Sequence, residues 1–99
     1  MFVTMVFHHP RPEYEDDFAD FMADIVVGMR GTDGLLSLES YRNPAAGTLV
    51  AIGRWQSAAD AQAGIPKLMS IGVRDPKWTD QPDDVFQLVE VDDRRPQPD

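Results

Sequence analysis

Apolar positions along this chain follow two periods, and the switches between them mark out the elements. Residues 2–7 alternate Phe2, Thr4 and Val6 with Val3, Met5 and Phe7, mostly apolar on both sides, as expected of a strand covered on both faces. His8-His9-Pro10-Arg11-Pro12 breaks the run, and Pro12 falls where a helix starts, since the first turn has no use for its missing N–H. From residue 13 to about 29 the period becomes helical. Tyr14, Phe18, Phe21, Met22, Ile25, Val26 and Met29 share one face, and Glu13, Glu15, Asp16, Asp17, Asp20 and Asp24 take the rest. The acids gather toward the helix N-terminus, where the dipole favours anions. Gly28, Gly31 and Gly34, with Thr32 and Asp33, supply the stop and the turn.

A hairpin comes next. Residues 35–42 form one strand, Asn43-Pro44-Ala45-Ala46-Gly47 the loop, and residues 48–55 the return strand. The return strand carries Leu49, Ala51 and Trp55 on one side and Val50 and Ile52 on the other. A sheet apolar on both faces needs two covers, and one pair of helices supplies only one. A second copy of the chain is the expected second cover. Ser57 followed by Asp60 resembles a capping box and starts a helix through Ala58, Ala61, Ile65, Leu68 and Met69, in which Pro66 predicts a kink or a split. Residues 74–84 make a loop long enough to be functional, and residues 85–91 alternate as a last strand. The charged, proline-containing residues 92–99 read as a flexible tail. The order is β-α-β-β-α-β, a ferredoxin-like α+β fold with a four-stranded antiparallel sheet, in one domain over residues 1–91.

Composition narrows the partners. A chain of 99 residues holds one domain, and its 42% apolar content is that of an ordinary globular protein. Its net charge of −8 argues against nucleic acid and anionic membranes as partners. The absence of cysteine excludes disulfides, thiolate metal sites and a cysteine nucleophile. The opening apolar run is short, has no basic residues before it and stops at His8, so it reads as a strand rather than a signal peptide. No stretch approaches the roughly 18 apolar residues of a spanning helix. A cytoplasmic location is expected.

The segments Gly34-Leu35-Leu36-Ser37-Leu38-Glu39-Ser40-Tyr41-Arg42-Asn43-Pro44 and Leu49-Val50-Ala51-Ile52-Gly53-Arg54-Trp55-Gln56-Ser57-Ala58-Ala59-Asp60-Ala61 resemble the antibiotic biosynthesis monooxygenase (ABM) domain. In that family a Gly-led strand, a turn and a strand ending in Trp precede the second helix. The resemblance extends over residues 2–91 and implies a homodimer, two four-stranded sheets packed face to face as a dimeric α+β barrel. Each subunit then has a pocket between its sheet and its helices. It also implies a choice of chemistries: oxidation of aromatic compounds by O2 without metal or organic cofactor, heme degradation, isomerisation, or small-molecule binding without catalysis. The heme-degrading branch uses a His at the second helix and an Asn on the first strand. This chain has no His after His9 and no Asn among residues 1–7.

Candidate site residues follow from that frame. In a cofactor-free oxidation the protein deprotonates a small aromatic or apolar ligand and stabilises its anion. His8 is the candidate base, Tyr41 a hydrogen-bond donor and Arg54 an anion clamp. Trp55 is the pocket wall, a packing position in the family, and Trp78 is either a lid or a pin for its loop. Arg42 and Arg74 are of suitable type, although in so acidic a chain each arginine has a surface ion pair as its simplest role. His8 and His9 are adjacent, point opposite ways and make a poor chelate, so no metal site is expected.

Overall fold

In the computed structural model, which describes residues 1–91, the elements are strand β1 (Phe2–His8), a 3-10 turn (Pro12–Tyr14) and helix α1 (Glu15–Gly28). Then come β2 (Leu35–Asn43), β3 (Thr48–Trp55), α2 (Ala58–Ala63), α3 (Ile65–Ile71), a second 3-10 turn (Pro76–Trp78) and β4 (Asp84–Val89). The tail expected over residues 92–99 lies outside the described residues. The four strands form one sheet in the order β2-β3-β1-β4, every neighbour antiparallel, which is the ferredoxin-like plan.

Register divides the side chains between two faces. Thr4 pairs with Gly53 and Gln87, Val6 with Ala51 and Val85, and His8 with Leu49, so these share the face toward the helices. Met5 pairs with Ile52 and Phe86, Val3 with Arg54 and Leu88, and Phe7 with Val50, so these share the opposite, open face. The core lies on the helix side, where α1 lays Phe18 and Met22 on Leu49 of β3. Phe18 is 1% exposed.

β2 runs one residue longer than expected, to Asn43, and β4 starts one residue earlier, at Asp84; three other differences from the sequence reading each have a local reason. The helix expected from residue 13 opens as a 3-10 turn in which the Glu15 N–H bonds the Pro12 carbonyl, and regular α-helix follows from Glu15. The split expected at Pro66 falls at Gly64, which leaves Pro66 in the first turn of α3, where no N–H is needed. A Cβ on Gly64 would lie 2.5 Å from Trp55 Cη2, so this junction rests directly on the indole. The last strand ends at Val89 rather than Val91 because Val89 pairs with Phe2, the first residue of β1. The Ser57 cap forms as expected, its hydroxyl accepting the Asp60 N–H at 3.1 Å and donating to Asp60 Oδ2 at 2.9 Å. Among the described residues no helix is long and apolar enough to cross a membrane.

Candidate active site

Between the helices and the sheet lies a cavity of about 490 Å³, within the size range of small-ligand sites. Phe18, Phe21, Met22 and Ile25 of α1 form one wall, Leu68 and Met69 of α3 another. The sheet contributes Thr4, Val6, Leu38, Ala51 and Trp55, with Gly53 between them. A Cβ at Gly53 would come within 2.8 Å of Thr4 Oγ1 and 3.1 Å of Trp55 Nε1.

The ionisable side chains of the cavity are confined to one corner, where β1 ends and the loop of residues 72–83 returns to β4. His8, Arg74 and Asp83 meet there, all three lining the cavity. Arg74 grips Asp83 through two parallel hydrogen bonds, Nη1 to Oδ1 at 2.9 Å and Nη2 to Oδ2 at 2.7 Å. His8 Nδ1 lies 3.1 Å from Asp83 Oδ1 and 3.2 Å from Arg74 Nη1. The side chains of His8 and Asp83 are 14% and 15% exposed. The Phe18 ring lies beneath both His8 and Arg74, 4.8 Å from the imidazole centroid and 5.6 Å from the guanidinium carbon.

Several contacts hold the loop that delivers Arg74 and Asp83. The Arg11 N–H donates to the Trp78 carbonyl at 2.7 Å, Pro10 bridges to Thr79, and Arg11 pairs with Asp80 at 3.5 Å. The Trp78 ring packs on Phe18 and Phe21, with centroids 5.5 and 5.6 Å apart.

These surroundings set the proton affinities. Burial lowers the His8 pKa below its ordinary value, and the Arg74 charge acts the same way, while the hydrogen bond and charge of Asp83 oppose them. Burial resists ionisation of Asp83, but hydrogen bonds from Arg74 and His8, with their charges, outweigh it and hold its pKa below the usual carboxylate value. Near neutral pH the corner therefore holds a neutral imidazole beside an ion pair. With the ring neutral, Nδ1 either donates its proton to Asp83 Oδ1 or accepts the second N–H of Arg74 Nη1, and pairing with Asp83 is the arrangement that places the proton on Nδ1. Nε2 is then the basic nitrogen.

The expected site residues separate into three groups. His8 and Trp55 line the cavity. Trp78 is half-buried against α1 and holds the loop, without lining the cavity. Tyr41 and Arg54 lie on the open face with Glu39, across the sheet from His8. There Arg54 Nη1 donates to Glu39 Oε1 at 2.6 Å and the Tyr41 hydroxyl donates to Oε2. The Tyr41 hydrogen bond lowers the Glu39 pKa and raises that of Tyr41. Arg42 bridges Glu15 and Asp16 at 3.2 and 3.1 Å. Asp83 did not stand out in the sequence, because Asp80-Gln81-Pro82-Asp83-Asp84 reads as a solvated turn. The usable signal was register: Phe7 pairs with Asp84, so His8 arrives beside Asp83. His9, pointing away, binds Asp84 at 2.8 Å instead. Among the described residues no group of three or more His, Cys, Asp or Glu converges as a metal site would require.

Solved structures share this architecture. Rv0793 from Mycobacterium tuberculosis is 20% identical with a TM-score of 0.80, over 95% of this chain and 98% of that one. PA3566 from Pseudomonas aeruginosa is 11% identical with a TM-score of 0.78, over 91% and 93%. The heme-degrader MhuD from M. tuberculosis, with two hemes bound in its active site, is 16% identical with a TM-score of 0.73, over 94% and 98%. At these identities the likeness is one of fold. No curated protein matches the chain in sequence. The family model for antibiotic biosynthesis monooxygenase matches residues 1–63, from β1 through α2 and more than half of the chain, and the protein therefore belongs to that family.

Proposed function

We propose that the protein is a homodimer that binds a small aromatic or apolar compound between its sheet and helices and oxidises it with O2, His8 acting as the base. The observation that carries this reading is the pairing of His8 with Asp83 at one corner of an otherwise apolar cavity. A neutral imidazole held by a carboxylate takes a proton from a weakly acidic ligand, and the imidazolium that forms lies against the Asp83 charge. The ligand anion then passes electrons to O2. In the balanced reaction a ring methylene becomes a carbonyl, one oxygen atom enters the product, and the other leaves as water with the two methylene hydrogens. No outside reductant is needed.

The dimer is supported by the open face. Val3, Met5, Phe7, Val50, Ile52, Phe86 and Leu88 give it an apolar surface that no helix among the described residues covers, and Phe86 is 48% exposed. Helices α2 and α3 carry no histidine, so the residues here do not supply the iron ligand that the heme-degrading branch places at its second helix.

Oxygen uptake with a panel of two- and three-ring phenols and anthrones tests the reading. Uptake by the wild-type protein that is lost in His8→Gln supports it. Ligand binding without uptake would favour the alternative of a non-catalytic binding protein. Exchange of ligand protons with solvent, again without uptake, would favour an isomerase.

A further inference from the structure

We infer that Asp83 makes the cavity selective for uncharged ligands bearing one weakly acidic O–H and excludes carboxylates of the same shape. This rests on the reading of the cavity as the ligand site. Among the described residues Arg74 is the only cation lining it, and each terminal nitrogen of that guanidinium gives a hydrogen bond to Asp83, which neutralises its charge. The pair presents almost no net charge to the interior. An incoming carboxylate would lose its hydration among Phe21, Met22, Ile25 and Leu68, meet the Asp83 carboxylate where a counter-charge is needed, and find no cation free to compensate. An uncharged phenol carries no such desolvation cost. Its O–H finds an acceptor in His8, because Asp83 takes the Nδ1 proton and leaves Nε2 bare.

Asp83 therefore acts twice: it cancels Arg74 and it sets the tautomer of His8. Removing its charge reverses both effects. Arg74 becomes an uncommitted cation beside the cavity, and its Nη1, already 3.2 Å from His8 Nδ1, can donate there. A bare Nδ1 carries the imidazole proton on Nε2 instead, so the phenol loses its acceptor while a carboxylate gains a cation and a donor.

Three probes of one shape separate the terms: naphthalene, 2-naphthol and 2-naphthoate, titrated at neutral pH into the full chain, with the His8 and Trp55 NMR signals as reporters. The wild-type protein is expected to bind 2-naphthol at least about tenfold more tightly than 2-naphthoate, the size of a charge-assisted hydrogen bond gained or lost. In Asp83→Asn, 2-naphthoate gains about tenfold and 2-naphthol weakens; in Asp83→Asn with Arg74→Gln the naphthoate gain disappears. Arg74→Gln alone leaves the Asp83 charge uncompensated and widens the preference for naphthol, which keeps the test open should Asp83→Asn not fold. Equal affinity of the wild-type protein for the two acids, or a ratio unmoved by these variants, overturns the charge rule while leaving the cavity as a ligand site. If none of the three probes moves the His8 and Trp55 signals, the ligand site itself is wrong and the charge rule goes with it.

Discussion

His8 and Asp83 meet across the end of the β1–β4 ladder, Nδ1 to Oδ1 at 3.1 Å, although they stand near opposite ends of the chain. The contact makes stability depend on pH in a predictable direction. Burial, the largest influence on His8, lowers its folded pKa from the ordinary 6.5. Below pH 6.5 the unfolded chain therefore binds a proton that the folded chain refuses, and stability falls until the folded value is passed. His8→Gln should flatten that part of the profile. Urea denaturation between about pH 8 and about pH 5 measures it, and a profile identical to wild type would show that His8 is not held neutral by folding.

Asp83 governs the acid limb below that. Its folded pKa is lower than 3.8 because the Arg74 and His8 hydrogen bonds outweigh burial, so its contribution is complete above 3.8 and is lost as pH falls through the folded value. At neutral pH, Asp83→Asn should cost about 1–2 kcal/mol, below the cost of breaking a fully buried pair because solvent reaches the guanidinium. The expected signature is a smaller acid-induced loss of stability in the variant, followed by thermal melts. An unchanged melt at neutral pH would mean that the Arg74 pair does not contribute.

Much of this arrangement was legible in the chain and one part was not. Two-residue alternation around Leu49, Ala51 and Trp55 assigned β3 its faces, and the same parity sent Arg54 to the opposite side. Ser57 and Asp60 announced the start of α2. The cavity corner is only half visible in the sequence, where His8 is a histidine at the end of a strand and Arg74 an arginine in a long loop. Asp83 was hidden among loop acids because its importance comes from strand register, a long-range property that no local window contains. Tyr41 and Arg54 had suitable chemistry, but residue type says nothing about which face of a sheet a side chain takes.

Phe18 is the common floor of the core and the corner, touching His8, Arg74, Phe21 and Trp78. Phe18→Ala should destabilise the protein by about 3–5 kcal/mol, as expected for a deeply buried ring. Because Trp78 packs on that ring, its fluorescence should shift toward that of solvated indole before global unfolding. Loss of stability with no change at Trp78 would separate the loop from the core.

Phe86 tests the open face. It stacks edge-on against Phe7 at 5.8 Å, is nearly half exposed, and contributes little to the core on the helix side. Phe86→Glu should therefore leave the subunit folded while placing a charge in the face assigned to the second copy. Native mass spectrometry should find a wild-type dimer and a variant shifted to monomer. A wild-type monomer at micromolar concentration would remove the basis for pairing two sheets.

Gly53 and Arg54 are neighbours, yet only substitution of Gly53 should affect the ligand. Gly53 lies on the cavity side, where an added methyl would press on Thr4 Oγ1 and Trp55 Nε1. Gly53→Ala should weaken binding of a two-ring probe, and the crowding against Thr4 and Trp55 should cost about 1–3 kcal/mol of folding stability, the usual penalty for overfilling a packed core. Arg54 points into the open face and is engaged with Glu39, so Arg54→Gln should leave probe affinity unchanged while altering the charge of the face proposed to pair with a second copy. Titration of both variants with 2-naphthol, beside their dissociation to monomer, gives two readouts that should move independently. If Arg54→Gln weakened the probe as much as Gly53→Ala, the ligand would have to reach the open face, and the cavity between sheet and helices would not be the binding site.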